Sequence, residues 1–187
     1  MRHVHVVLPE GVDDVTRRSG GNVYDRQVCD GLRELGWHVH EHEVAGAWPS
    51  PAPETRKALA AVLAGLDDWS VVVLDGLLSS GTTDVLVAAA ARLRLVVLVH
   101  LPVALGSAGA SAAERAVLRS AAAVIATSDW TRRWLLDRYG LERVQVALPG
   151  AELADPAVAS GGSRLLCVGA VVPHKGQDVL LAALRRI

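Results

Sequence analysis

Phenylalanine is absent from this chain, methionine occurs once, and aromatic bulk comes from five tryptophans and two tyrosines. The core must therefore be aliphatic, and abundant alanine raises the hydrophobic fraction to 51%. Cysteine occurs only at Cys29 and Cys167, without a CxxC pair or regular spacing. That excludes a disulfide framework and leaves both as expected buried apolar fillers in a reducing compartment. Charge of one sign is lacking too: the net charge is −1, so no basic field points to nucleic acid or to an anionic membrane. No apolar run approaches the ~20 residues that span a bilayer; Leu95 to Val99 is typical of the runs present. The chain opens directly on Arg2 to Pro9, a strand pattern too short for a signal-peptide core. The expectation is a soluble, cytoplasmic protein.

Several catalytic signatures are missing as well. No GxGxxG follows the first strand, which argues against an NAD enzyme. No GxxxxGK[ST] is present, because Lys175 precedes Gly176 rather than following it, so the chain holds no P-loop. No GxSxG elbow supports a hydrolase.

What is present is a regular alternation of strand and helix patterns. Val4 to Leu8, Val71 to Leu74, Leu95 to Val99 and Ala123 to Ala126 are short apolar runs of the kind found in parallel strands covered on both faces. Between them lie helical stripes: Tyr24, Val28, Leu32 and Leu35; then Leu59, Val62, Leu63 and Leu66; then Val85 or Leu86 with Ala89, Ala90 and Leu93. Ser111 to Glu114 reads as a capping box, and Trp130, Trp134 and Leu135 as the buried stripe of a helix that Gly140 terminates. Arg143 to Leu148 reads as a last strand. The fold class expected is α/β, a doubly wound, Rossmann-like parallel sheet. Pro149 to Gly162 has linker chemistry, which places one domain at residues 1–160 and the start of another at residues 161–187.

In such sheets ligands bind beyond the carboxyl ends of the strands, and four places there carry chemistry. The first loop brings Arg17, Arg18, Gly20 and Gly21 to the start of a helix near Asn22; the glycines permit close backbone approach, and helix N–H groups favour an anion. His100 closes a wholly apolar strand, where a polar ring has little reason to sit unless it faces a cleft. Asp75 has the same address and either lines that cleft or caps the next turn. Near the end, Leu165 to Gly169 reads as a buried strand, followed by a turn with Lys175 and then an amphipathic helix. Together Gly169, Lys175 and the helix start suit a phosphate.

Two other patterns compete for attention. His38, His40 and His42 share one face of a strand, and His3 and His5 share one face of the first strand. If these strands are neighbours the imidazoles cluster, but a solvated or helix-covered face is the expectation, and no native metal site. The segment Asp129 to Tyr139 combines Trp130 and Trp134 with Arg132, Arg133 and Arg138, a mixture seen in interfacial membrane helices; an ordinary core stripe is the reading preferred.

Five stretches also resemble, in order, family 4 retaining glycosyltransferases of the two-domain GT-B architecture. They are Gly20-Gly21-Asn22, His100 closing its strand, Thr127 to Thr131, Val146 to Glu152 as an interdomain hinge, and Val168 to Leu181 opening the C-terminal domain. The resemblance implies transfer of a sugar from a nucleotide-sugar donor to an acceptor hydroxyl with retention, without a metal or other cofactor. It implies that Gly20, Gly21, Gly169 and Lys175 border the donor diphosphate, that His100 contacts the donor sugar as the catalytic residue, and that Arg17, Arg18 and Asp75 lie on the acceptor side. An Arg common in the family is Ala170 here, which leaves Lys175 as the lone cation of that stretch, and the family's Glu-x7-Glu segment is absent from these residues. The chain then reads as an N-terminal acceptor domain plus the first βα unit of the nucleotide-sugar domain. By that reading it is inactive alone, with residues 163–187 free to self-associate. The partner acceptor is a small molecule, a glycan or a lipid-linked sugar. A nucleotide-sugar epimerase of the same architecture and a non-catalytic sugar- or nucleotide-binding module are the alternatives.

Overall fold

Each apolar run becomes a strand and each stripe a helix in the order β1 (Arg2–Pro9), α1 (Gly20–Glu34), β2 (Trp37–Val44), α2 (Pro53–Ala64), β3 (Val71–Asp75), α3 (Thr83–Ala90), β4 (Arg94–Val99), α4 (Ser111–Ser120), β5 (Ala123–Ala126), α5 (Asp129–Tyr139) and β6 (Gln145–Val146). These elements come from a computed structural model that describes residues 2–17, 19–79, 81–105, 111–151, 153–156, 158 and 160–186. The described chain divides into two compact units, Met1–Pro149 and Gly150–Ile187.

In the first unit six strands form one sheet in the order β2-β1-β3-β4-β5-β6, with every neighbouring pair parallel. The chain steps from β1 outward to β2, returns past β1 to β3, and then proceeds the other way. The order therefore reverses between β1 and β3, the switch point at which α/β sheets open a crevice. The fold is α/β, doubly wound and Rossmann-like, as the alternation predicts.

Strand alternation sorts side chains between two cores. Val4, Val6 and Leu8 of β1, Val73 of β3 and Leu98 of β4 pack under Tyr24 and Cys29 of α1. The other face carries Val7, Val72, Leu74, Leu95, Val97 and Val99, covered by Leu59 and Leu63 of α2, Leu86 of α3, Val117 and Leu118 of α4, and Leu135 and Tyr139 of α5. Both faces of the central strands are thus buried. Among the described residues no helix is long and apolar enough to cross a membrane.

Several local expectations are revised. The cap of α1 is Ser19, whose Oγ accepts the Asn22 N–H at 3.1 Å, so the helix begins at Gly20 rather than near Asn22. Leu35 is the C-cap of α1 and is exposed; the helix ends before its stripe would return to the sheet. Glu114 does not close a capping box. Its carboxylate is buried and accepts the Val103 and Ala104 N–H groups at 2.9 and 3.2 Å and the Tyr139 hydroxyl at 2.6 Å. In α5 the buried stripe is Thr131, Leu135 and Tyr139, one position round from the expected one, and it leaves Trp130 49% exposed. Trp134 is half-buried and meets Tyr139 edge-on at 5.1 Å between ring centroids. Gly140 does terminate α5, at φ 59°, donating its N–H to Leu136. The last strand is shorter than Arg143 to Leu148 because only Gln145 and Val146 pair with β5.

In the second unit, Leu165 to Gly169 does not form a strand, and Leu165, Leu166, Cys167 and Val168 are exposed. A strand is defined by ladder bonds to a neighbour, and this segment makes none. The turn and helix do form: Pro173–Lys175 is a 3-10 turn, Gly176 caps it at φ 67°, and α6 follows over Gln177–Leu184.

Candidate functional site

The carboxyl ends of β3 and β4 meet the start of α1 beside the switch point between β1 and β3. Val71, Val73 and Asp75 alternate onto the α1 side of β3, and Leu98 and His100 onto the same side of β4 and the residue beyond it. On α1, residues spaced three and four apart, Gly21, Tyr24, Asp25, Val28 and Cys29, face the sheet. Three polar side chains therefore converge. His100 Nε2 lies 2.9 Å from Asp25 Oδ1, while Asp75 Oδ1 accepts the Leu77 N–H at 2.8 Å.

Burial here is deep. Asp25 is 1% exposed and Asp75 6%, whereas the His100 side chain keeps 21% of its surface open. Asp25 Oδ2 is buried without a hydrogen-bond partner. Tyr24 meets the His100 ring edge-on at 5.2 Å between centroids and donates its hydroxyl to the Ala147 carbonyl at 2.9 Å. Gly21 lies against the same imidazole: a methyl group there would stand 3.4 Å from His100 Cδ2. The Thr127 hydroxyl donates to the His100 carbonyl at 3.3 Å.

The electrostatics follow from two carboxylates and one imidazole out of water. Burial pushes Asp75 up to about 6, reinforced by the charge of Asp25 and opposed by His100 and the Leu77 N–H. Burial would lower His100, but its hydrogen bond to Asp25 and the charges of Asp25 and Asp75 outweigh that, so its pKa is raised. The pair acts as a proton trap, holding a proton that water would otherwise take. With Nε2 bonded to Asp25, Nδ1 is the ring nitrogen left for a ligand: an acceptor in the neutral ring, a donor in the imidazolium. The ligand atoms of Asp25, Asp75 and His100 all lie within 4.8 Å of one another, so these three residues also have the spacing to hold a cation.

The expected residues separate into two groups. Gly21, Asp75 and His100 come together, and Gly20 opens the first turn of α1 with open space where a side chain would project. Asp75 lies beside Asp25 and His100, and its Oδ1 caps the following turn through the Leu77 N–H. Arg17 ends a short 3-10 turn at Val15–Arg17; its side chain, and Arg18 altogether, lie outside the described residues. Gly169 and Lys175 belong to the second unit, where a methyl group on Gly169 would meet the Lys175 stem at 4.0 Å and Gln177 Nε2 at 3.5 Å. Gln177 Nε2 donates to the Ala170 carbonyl at 2.9 Å, which ties the turn to α6.

Asp25 is the residue that sequence reasoning missed. Its signal was available, four residues after Gly21 and four before buried Cys29, an acid inside an apolar stripe. At the opposite rim, a cleft of about 610 Å³ runs along the amino ends of β5 and β6, with Arg119, Glu142, Arg143 and Gln145 among its lining residues. The sequence matches no protein-family model and no curated protein.

Proposed function

We propose that this chain carries the acceptor-side half of a retaining glycosyltransferase, with His100 at the reacting centre and the Gly169–Lys175 turn belonging to the nucleotide-sugar half. The observation that supports it best is the packing of the His100 ring on Gly21 and its hydrogen bond to Asp25. A catalytic imidazole needs a fixed orientation, one nitrogen committed and one available, and a loop backbone close enough for substrate to touch both.

In this reading Asp25 is a positioning residue. It holds His100 by Nε2 and biases it toward the protonated form, so that Nδ1 can donate to an oxygen that gains negative charge as the glycosidic bond to phosphate breaks. Asp75, whose charge adds to that of Asp25 in holding the proton on His100, supports the same protonated state of the ring. Tyr24 and Gly21 wall the ring and exclude water from its other side. Lys175 supplies a full positive charge for the diphosphate, and Gly169 leaves room for its stem.

The reading is tested by titrating the 187-residue chain with UDP-, GDP- and ADP-sugars and following backbone and imidazole NMR signals. The expected outcome is weak, saturable binding that perturbs Gly21, His100 and Lys175, without turnover. Micromolar affinity with turnover would contradict the division into halves. Perturbation of none of the three would remove the reading altogether.

A further inference from the structure

A second cluster of titratable groups lies far along β1 from that site and takes no part in it. The parallel register of β1 and β2 sets His3 beside His38 and His5 beside His40. The diagonal neighbours close further: His3 Nδ1 lies 3.0 Å from His40 Nε2, and His5 Nδ1 lies 3.0 Å from His42 Nε2. The rings stack in a ladder with centroids 5.0 Å (His3–His38), 5.3 Å (His3–His40) and 4.8 Å (His5–His40) apart, and His5 and His42 tilt at 5.3 Å. His3, His38 and His40 are exposed, whereas His5 and His42 are half-buried. The imidazoles do cluster, and the outer ones face water.

A sheet edge has no packing need for such a ladder, since Thr or Val would serve with less desolvated polarity. Neutral imidazole is a metal ligand, and two nitrogens bound at about 2.0–2.1 Å and at right angles on one ion stand about 2.9 Å apart. Both diagonal pairs already have that separation. The carboxylates of β2 face the other way and are engaged: Glu41 with Arg26 and Arg33, Glu43 with the Gly11 N–H. Asp67 is the acidic group whose charge reaches His5 from the turn before β3.

We propose that this imidazole face binds a first-row transition-metal dication, each diagonal pair supplying two neutral nitrogens and water completing the shell. In the apo ladder one facing nitrogen of each pair carries a proton and donates to the other. Binding requires that proton to move to the far nitrogen of the same ring, a tautomer change with no net proton release.

The test is calorimetric titration of the untagged, chelator-treated chain with Ni²⁺ and Zn²⁺ at neutral pH. Saturable binding is expected, weakened by at least about tenfold in the His40→Asn/His42→Asn double variant. Because a variant can misfold, the unmodified chain provides an independent readout. Substoichiometric Ni²⁺ must broaden the His3, His5, His40 and His42 imidazole NMR signals before that of His100. The proposal is overturned by absence of saturable binding, by full retention in the folded double variant, or by loss in His100→Asn, which would assign the ion to the buried Asp25, Asp75 and His100 group instead.

Discussion

Asp75 illustrates how a single buried carboxyl shapes the response of a fold to pH. Its raised value means that the folded chain keeps a proton that the unfolded chain releases between about pH 4 and the folded value of about 6. The stability this proton confers is complete below the unfolded pKa and is lost as pH rises through the folded one. His100 acts in the same direction: its contribution is complete below about 6.5 and is lost as pH rises through its higher folded value. Asp75→Asn mimics the protonated acid and keeps an oxygen for the Leu77 N–H. Urea melts are expected to show it more stable than wild type at pH 7, by on the order of 2 kcal/mol, with the difference closing by about pH 4. In Asp25→Asn, burial is opposed by one carboxylate instead of two. The His100 imidazole should then titrate at lower pH than in wild type when followed by NMR. An unchanged His100 titration would show that Asp25 does not set its protonation.

Elements are held by contacts that only a near miss in sequence space would disturb. Gly76 follows β3 so closely that a methyl group there would stand 2.7 Å from the Leu98 carbonyl oxygen, a backbone atom of β4. Gly76→Ala must separate β3 from β4, and the expected cost is about 2 kcal/mol or more by chemical denaturation. Glu114 binds α4 both to the Val103–Ala104 turn and to α5, so Glu114→Ala leaves two N–H groups and a buried Tyr139 hydroxyl without their acceptor. A loss on the order of 2–3 kcal/mol is expected, and Tyr139→Phe should cost less because the carboxylate keeps its backbone donors. The Ser-x-x-Glu spacing pointed to a helix start and found one, but it misassigned the carboxylate. Local spacing describes what a side chain can reach along its own helix, whereas an inward-facing acid answers to whatever donors the tertiary fold brings opposite. The same limit explains α5, where two tryptophans suggested the buried stripe but the sheet took Thr131, Leu135 and Tyr139. Hydrophobicity alone cannot choose between stripes one residue apart.

For the whole molecule the two units differ in kind. The first buries strands β3 and β4 on both faces, and the amides of those strands should be the slowest to exchange with deuterium. Residues 163–168 of the second unit make no ladder bonds and expose their apolar side chains. Their amides are expected to exchange at close to the rate of an unstructured peptide under the same conditions, measured by hydrogen–deuterium exchange mass spectrometry. Protection there comparable with β4 would mean that this segment finds a strand partner in solution.

The chain's own letters settle the alternation of short apolar runs with 3.6-period stripes, and with it a parallel α/β sheet, because strand and helix periods are local. They also settle that His100 and Asp75 stand at the carboxyl ends of strands. Only the folded arrangement decides that α1 turns Asp25 toward His100 and that β2 lies against β1 so that imidazoles meet across strands. It also decides that Leu165 to Gly169, strand-like in composition, stays unpaired. Those outcomes depend on partners distant in sequence: a hydrogen bond or a ladder is a property of two segments, and no single stretch of residues specifies the other.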